Sequence, residues 1–133
     1  MAEKETKTAE VKPLAEEKVV TEAKAKLLNY GVTPRKVRLV IDLVRGKDLD
    51  TAYAILENCS KMCAKDIEKL IKSAEANAVN NFHMNANDLY VGTIYVGDGP
   101  RLKRMFPRAK GSSSPYQKRM SNLTVVVKAK GAK

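Results

Sequence analysis

The charge on this chain is not spread along it. Residues 99–133 hold ten Lys or Arg and no Asp or Glu, whereas residues 1–98 hold fifteen of each sign and cancel. The whole formal charge of +10 therefore sits in the last quarter of the chain. Its densest part is RLKRMFPRAKGSSSPYQKR, from Arg101 to Arg119, where seven cations are interleaved with two prolines, a glycine, three serines, one Phe and one Tyr. Such a segment cannot fold into a core, because burying cations without partners is too costly. It must lie at the surface, and a one-sign field of that density suits a polyanion, meaning nucleic acid or anionic lipid. A solvated basic tail is the bland alternative.

The rest of the sequence narrows the class. No apolar run approaches the roughly 20 residues that span a bilayer. The start, MAEKETKTAEVKPLAEEK, lacks the apolar stretch of a secretory signal and is too acidic for a transit peptide. Cys59 and Cys63 make no disulfide framework, which fits a reducing cytoplasm, and with no second ligand pair they are not a structural zinc pattern. His83 is the one histidine, and no base–nucleophile grouping surrounds it. GDGP, at 97–100, is followed by no Lys-Ser/Thr pair and no helix start, so it is not a phosphate-cradling loop. The expectation is a protein that is not an enzyme, with no metal, no cofactor and no small-molecule substrate.

Residues 1–22 are Glu- and Lys-rich with few apolar side chains, and are expected to form a flexible extension. Residues 23–133 then form a single domain. AKAKLLNYGV (23–32) suits a half-exposed strand ending near Gly31. TPRKVRLVIDLVRG (33–46) is a helix with Thr33 as N-cap, Pro34 at its first position, Gly46 closing it, and Val37, Val40, Ile41 and Val44 as the buried stripe. Asp48 can cap a second helix to about Glu57, burying Leu49, Ala52, Tyr53 and Leu56. A third helix is expected from near Ser60 to about Asn80, with Cys63, Ile67, Leu70, Ile71, Ala74 and Ala78 inward.

From Leu89 the period changes to two. Leu89, Val91, Thr93 and Tyr95 fall on one face and Tyr90, Ile94 and Val96 on the other, with Leu123, Val125 and Val127 on a return strand. Gly111 and the serines make the turn between them. Fully extended, Leu89 to Gly111 would reach about 70 Å, against a radius of gyration near 13 Å for a globule of ~100 residues. The outer part of this hairpin must project from the body, with GDGP as an irregularity at its base.

Lys and Arg on such an arm can neutralise phosphates, while Phe106, Tyr116 and the guanidinium planes can stack on unpaired bases. Gly111 serves either a turn or close backbone approach. Arg35, Lys36 and Arg38 at a helix start suit either a phosphate or solvent. Asn77, Asn80 and Asn81, three poor helix formers near a helix end, need either a capping role or a partner. An architectural DNA-binding arm and a small nucleic-acid enzyme are the rival readings, the latter opposed by the absence of any acid after residue 98.

Four blocks, TPRKVRLVIDLVRGK, SAEANAVNN, DLYVGTIYVGDGPRLKRMFPRAKG and KRMSNLTVVV, occur in an order and spacing that closely resemble large-subunit ribosomal protein twenty-two of bacteria, over about residues 23–129. The resemblance implies an α+β fold: three helices packed on a three-stranded antiparallel sheet, with a long projecting β-hairpin, here about 97–122. It implies a structural constituent of the large subunit of the cytoplasmic ribosome, monomeric there, that binds large-subunit rRNA and acts early in assembly. The body would sit near the mouth of the polypeptide exit tunnel. Arg104, Met105, Phe106, Pro107, Arg108, Ala109, Lys110 and Gly111 would line the tunnel wall beside ribosomal protein four and the nascent polypeptide. The implied rRNA contacts are Arg35, Lys36, Arg38, Asn77, Asn80, Asn81, Arg101, Lys103, Arg104, Arg108, Lys110, Ser112, Tyr116, Lys118 and Arg119. Ser112, where the family commonly has Arg, and Asn122, where His is common, depart from the pattern.

Overall fold

A computed structural model describes residues 21–130. Residues 1–20, and with them most of the extension expected over 1–22, lie outside the described residues. The order is β1 (Glu22–Tyr30), α1 (Pro34–Val44), α2 (Leu49–Glu57), α3 (Ala64–Phe82), β2 (Leu89–Pro107) and β3 (Ser113–Ala129). The strands form one antiparallel sheet in the order β1-β3-β2, so the fold is α+β with β3 central. The helices cover one face. Val37, Val40, Ile41 and Val44 of α1, Leu49, Ala52 and Leu56 of α2, and Ile67, Leu70, Ile71, Ala74 and Ala78 of α3 meet Ala23, Ala25, Leu123, Val125 and Val127 of the sheet.

The strict alternation expected along β2 fails at one residue. Leu89 and Val91, expected on one face, are buried, but so are Ile94 and Val96, expected on the other, while Thr93 and Tyr95 are exposed. A bulge causes this: Val91 pairs with Val127 and Thr93 with Val126, leaving Gly92 unpaired and reversing the phase of the strand. Glycine suits the site because a Cβ there would stand 2.7 Å from the Lys128 Cγ, whose aliphatic chain lies over it. All four apolar side chains thus reach the same core.

The helix ends differ in detail from the expectation. Thr33 and Asp48 hold the N-cap positions, yet neither side chain makes a capping hydrogen bond. The Asp48 carboxylate instead meets Lys130 Nζ at 2.9 Å. The third helix begins at Ala64, not Ser60: the chain turns through 61–63 first, with Ala64 N–H donating to the Lys61 carbonyl at 3.0 Å. It ends at His83, which takes a left-handed conformation (φ 53°) while Met84 N–H reaches back to the Ala78 carbonyl at 3.1 Å. That turn, exposed and at the surface, is where the one histidine resides.

Donors from outside the sheet reach both outer strands of the body. Along β2, Gly46 N–H donates to the Val91 carbonyl and Val91 N–H to the Lys47 carbonyl, each at 2.9 Å. The Arg45 and Arg38 guanidiniums reach the Ile94 and Val96 carbonyls at 3.3 and 3.4 Å. Along β1, Asn77 Nδ2 donates to the Lys24 carbonyl at 3.1 Å. These hydrogen bonds take up four groups on the β2 edge and one on the β1 edge that would otherwise be free to pair with another chain.

Candidate nucleic-acid interface

Beyond Asp98 the sheet loses both its third strand and its helices. A second irregularity lies here: Asp98 pairs with Ser121, and pairing resumes at Arg101 with Arg119. Gly99 sits in this step, where a Cβ would lie 3.0 Å from the Met120 carbonyl carbon. Ser121 is fully buried, and its Oγ has no partner among the described residues. From this base, β2 and β3 remain paired out to Pro107 and Ser113. Gly99 to Pro107, the extended part of the arm, spans about 26 Å at ~3.3 Å per residue.

The tip is a tight turn. Arg108 N–H donates to the Ser112 carbonyl at 2.8 Å, and Lys110 and Gly111 are both left-handed, at φ 57° and 72°. Gly111 meets that requirement without strain; Lys110 adopts it at a cost of about 1 kcal/mol. Ser112 closes the turn through its hydroxyl, which donates to the Ala109 carbonyl at 2.9 Å. Ser113 and Ser114 already belong to β3, so the turn is smaller than the serine run suggested.

Register distributes the charge. Directly opposed residues on two strands share a face, and successive residues alternate. One face therefore carries Arg104 and Arg108 with Lys118, Tyr116 and Phe106; the other carries Arg101 and Lys103 with Arg119 and Met105. Cations project on both sides, and Lys110 stands at the end. Arg101 lies directly across from Arg119, a like-charge pairing that is destabilising without an anion between. Among the described residues the arm has a single ion pair, Arg101 to Asp98 at 3.3 Å. Such a surface gains most from a partner that surrounds it with negative charge.

The remaining expected contacts lie on the body. Arg35, Lys36 and Arg38 are exposed at the start of α1, with one Arg38 nitrogen turned to β2. Asn80 and Asn81 are exposed in the last turn of α3, whereas Asn77 is half-buried and spends one amide donor on β1. Asn122 was noticed only as a departure. Its Oδ1 accepts the Asn29 N–H at 2.8 Å, where Asn29 is left-handed (φ 56°) at a break in the β1–β3 register. No local pattern announces such a contact, because the partner is 93 residues away.

Among the described residues no three of His, Cys, Asp and Glu converge to hold a metal, and no helix is long and apolar enough to cross a membrane. Burial pushes the Cys63 thiol above its ordinary range. The Tyr30 and Tyr53 phenols are also held above theirs, first by burial and then by donating to Asp66 and Glu75.

A small α+β body with a projecting basic hairpin defines a class of protein that presents one cation-rich arm beyond its core. Comparison with known proteins is more specific. The family described as "Ribosomal protein L22p/L17e" matches residues 25–128. The large ribosomal subunit protein uL22 of Acetivibrio thermocellus is 52% identical over 103 residues, covering 77% of this chain and 82% of that one. Its namesake in Ligilactobacillus salivarius is 52% identical over 111 residues, covering 84% and 96%. The namesake in Thermosipho africanus is 48% identical over 113 residues, covering 85% and 76%. The chain belongs to this family of large-subunit ribosomal proteins.

Proposed function

We propose that the chain is a non-catalytic structural constituent of the large subunit of the cytoplasmic ribosome, and that it binds large-subunit rRNA chiefly through the arm. The observation that carries this reading is the distribution of the arm's seven cations over both faces and the tip, with one carboxylate partner among them. An arm charged on one side would suit a groove floor. One charged on all sides suits a crevice in folded RNA, where phosphates approach from several directions and counterions are released. Arg35, Lys36, Arg38, Asn80 and Asn81 add contacts from the body, and Asn77 has one amide hydrogen left to offer.

The family resemblance supports the finer placement: the body near the exit-tunnel mouth, the tip from Arg104 to Gly111 in the tunnel wall beside ribosomal protein four and the nascent polypeptide, and a part in early assembly. The chain acts there as a monomer, without cofactor. Sedimentation of a gently prepared cell extract, followed by a high-salt wash of the ribosomal fractions, tests the reading. The protein should remain with the large subunit through the wash. Recovery at the top of the gradient, or with DNA, would overturn it.

A further inference from the structure

Phe106 and Tyr116 leave 56% and 50% of their surfaces open to solvent, on an arm where no core requires a ring. They stand on the same face. Arg104 lies opposite Tyr116 and Phe106 opposite Ser114, so the two rings occupy successive same-face rows and are diagonal neighbours. Diagonal positions of a strand pair are roughly 7–8 Å apart. A planar base stacked on both sides needs about 7 Å, twice its ~3.4 Å thickness. Between the rings opens a shallow cleft of about 440 Å³ lined by Phe106, Arg108, Ser114, Pro115 and Tyr116.

Arg108 is fixed in that cleft. Its Nε donates to Ser114 Oγ at 3.0 Å, and its guanidinium stands 5.5 Å from the centre of the Phe106 ring. The remaining guanidinium hydrogens have no hydrogen-bond partner among the described residues and are available as donors on a pre-organised plane. Pro115 restricts the backbone of β3 between the two rings. The opposite face carries Met105 and Pro107 and has no ring of this kind.

We infer that this cleft is a stacking site for one unpaired nucleobase, held between Phe106 and Tyr116, with Arg108 donating to its edge or to its phosphate. The inference rests on the rRNA-binding reading and adds what part of the RNA is recognised: a looped-out nucleotide, since a base inside a duplex shows no free face. Arg104 and Lys118 on the same face favour an anionic polymer over a polypeptide as the occupant.

The test uses the full chain and two short RNA stems, one with a single bulged 2-aminopurine and one fully paired. The native chain should quench the 2-aminopurine fluorescence and prefer the bulged stem. F106L/Y116L should abolish the quenching and weaken binding to the bulged stem about tenfold, with the paired stem unaffected; Tyr116→Phe should retain both effects. Equal binding of the two stems without quenching would overturn the cleft while leaving RNA binding intact. Quenching that survives F106L/Y116L, or an equal loss on both stems, would mean that the rings only shape the arm. Failure to bind either stem at low salt would overturn the parent reading together with this one.

Discussion

Replacing Arg101, Lys103, Arg104, Arg108 and Lys110 with Ala should change how salt acts on RNA binding more than any substitution in the body. Each cation that neutralises a phosphate contributes roughly 0.7–0.9 to the slope of log affinity against log salt. The five are not equal. Arg101 already pairs with Asp98 at 3.3 Å, so its exchange of one anion for another releases less. The other four have no carboxylate partner among the described residues, and their loss should flatten the slope by about 3 units. Between about 50 and 200 mM salt, the native chain should then lose about 60-fold more affinity than the variant. Fluorescence anisotropy of a labelled large-subunit rRNA fragment, titrated at several salt concentrations, measures both slopes. The body should remain folded, because the β1–β3 pairing from Glu22 to Leu27 lies wholly outside the substituted residues. Parallel slopes for a folded variant would refute the reasoning, since the arm's cations would then not be what displaces counterions.

Other substitutions separate the body from the arm. Ile71 is fully buried beneath the sheet, and Ile71→Ala should cost about 2–5 kcal/mol in urea unfolding while leaving the salt slope unchanged; a cost below about 1 kcal/mol would show that the site collapses or is poorly packed. Gly99→Ala places a methyl 3.0 Å from the Met120 carbonyl carbon, in backbone held by strand pairing, and should destabilise by about 1–3 kcal/mol; equal or greater stability would show that the step between Asp98 and Arg101 has room to give. The Tyr30 and Tyr53 phenols keep their protons more tightly in the folded chain than in the unfolded one. Their contribution is therefore fully present below about pH 10, the ordinary phenol value, and is lost as pH rises beyond it. Tyr30→Phe and Tyr53→Phe should each lessen the alkaline loss of stability. Ionisation of both rings near the ordinary value in a still-folded chain, followed by tyrosinate absorbance, would contradict this.

The body was legible wherever one periodicity ran uninterrupted. Val37, Val40, Ile41 and Val44 recur at helical spacing and are all buried, because a helix has no cheap way to change phase. A strand has one. The bulge at Gly92 turned Ile94 and Val96 toward the core, and a period-two pattern cannot show where a residue is left unpaired. Start signals had the same limit: Asp48 fits a cap by type, but a cation from the chain's far end, Lys130, takes its carboxylate. Long-range side-chain roles were illegible for that reason too, as with Asn77 on Lys24 and Asn122 on Asn29. The arm was the clearest feature of all, since seven cations without an acid admit no buried solution. How those cations divide between two faces depends on register, and only the paired strands supply it.

The central claim, that the arm is what holds the RNA, has a direct test because Asp98 and Ser121 are paired at its base. Residues 99–120 can be replaced by an Asn-Gly turn, which joins antiparallel strands in two residues and keeps the sheet over the helices. Affinity for large-subunit rRNA should then be measured for the shortened and full chains side by side. The account predicts a folded, truncated body whose binding is weak and much less sensitive to salt than that of the full chain, with only the slope that Arg35, Lys36 and Arg38 can supply. A truncated body that binds as tightly and as salt-sensitively as the full chain would place the interface on the helices, and the arm would not be the RNA-binding element.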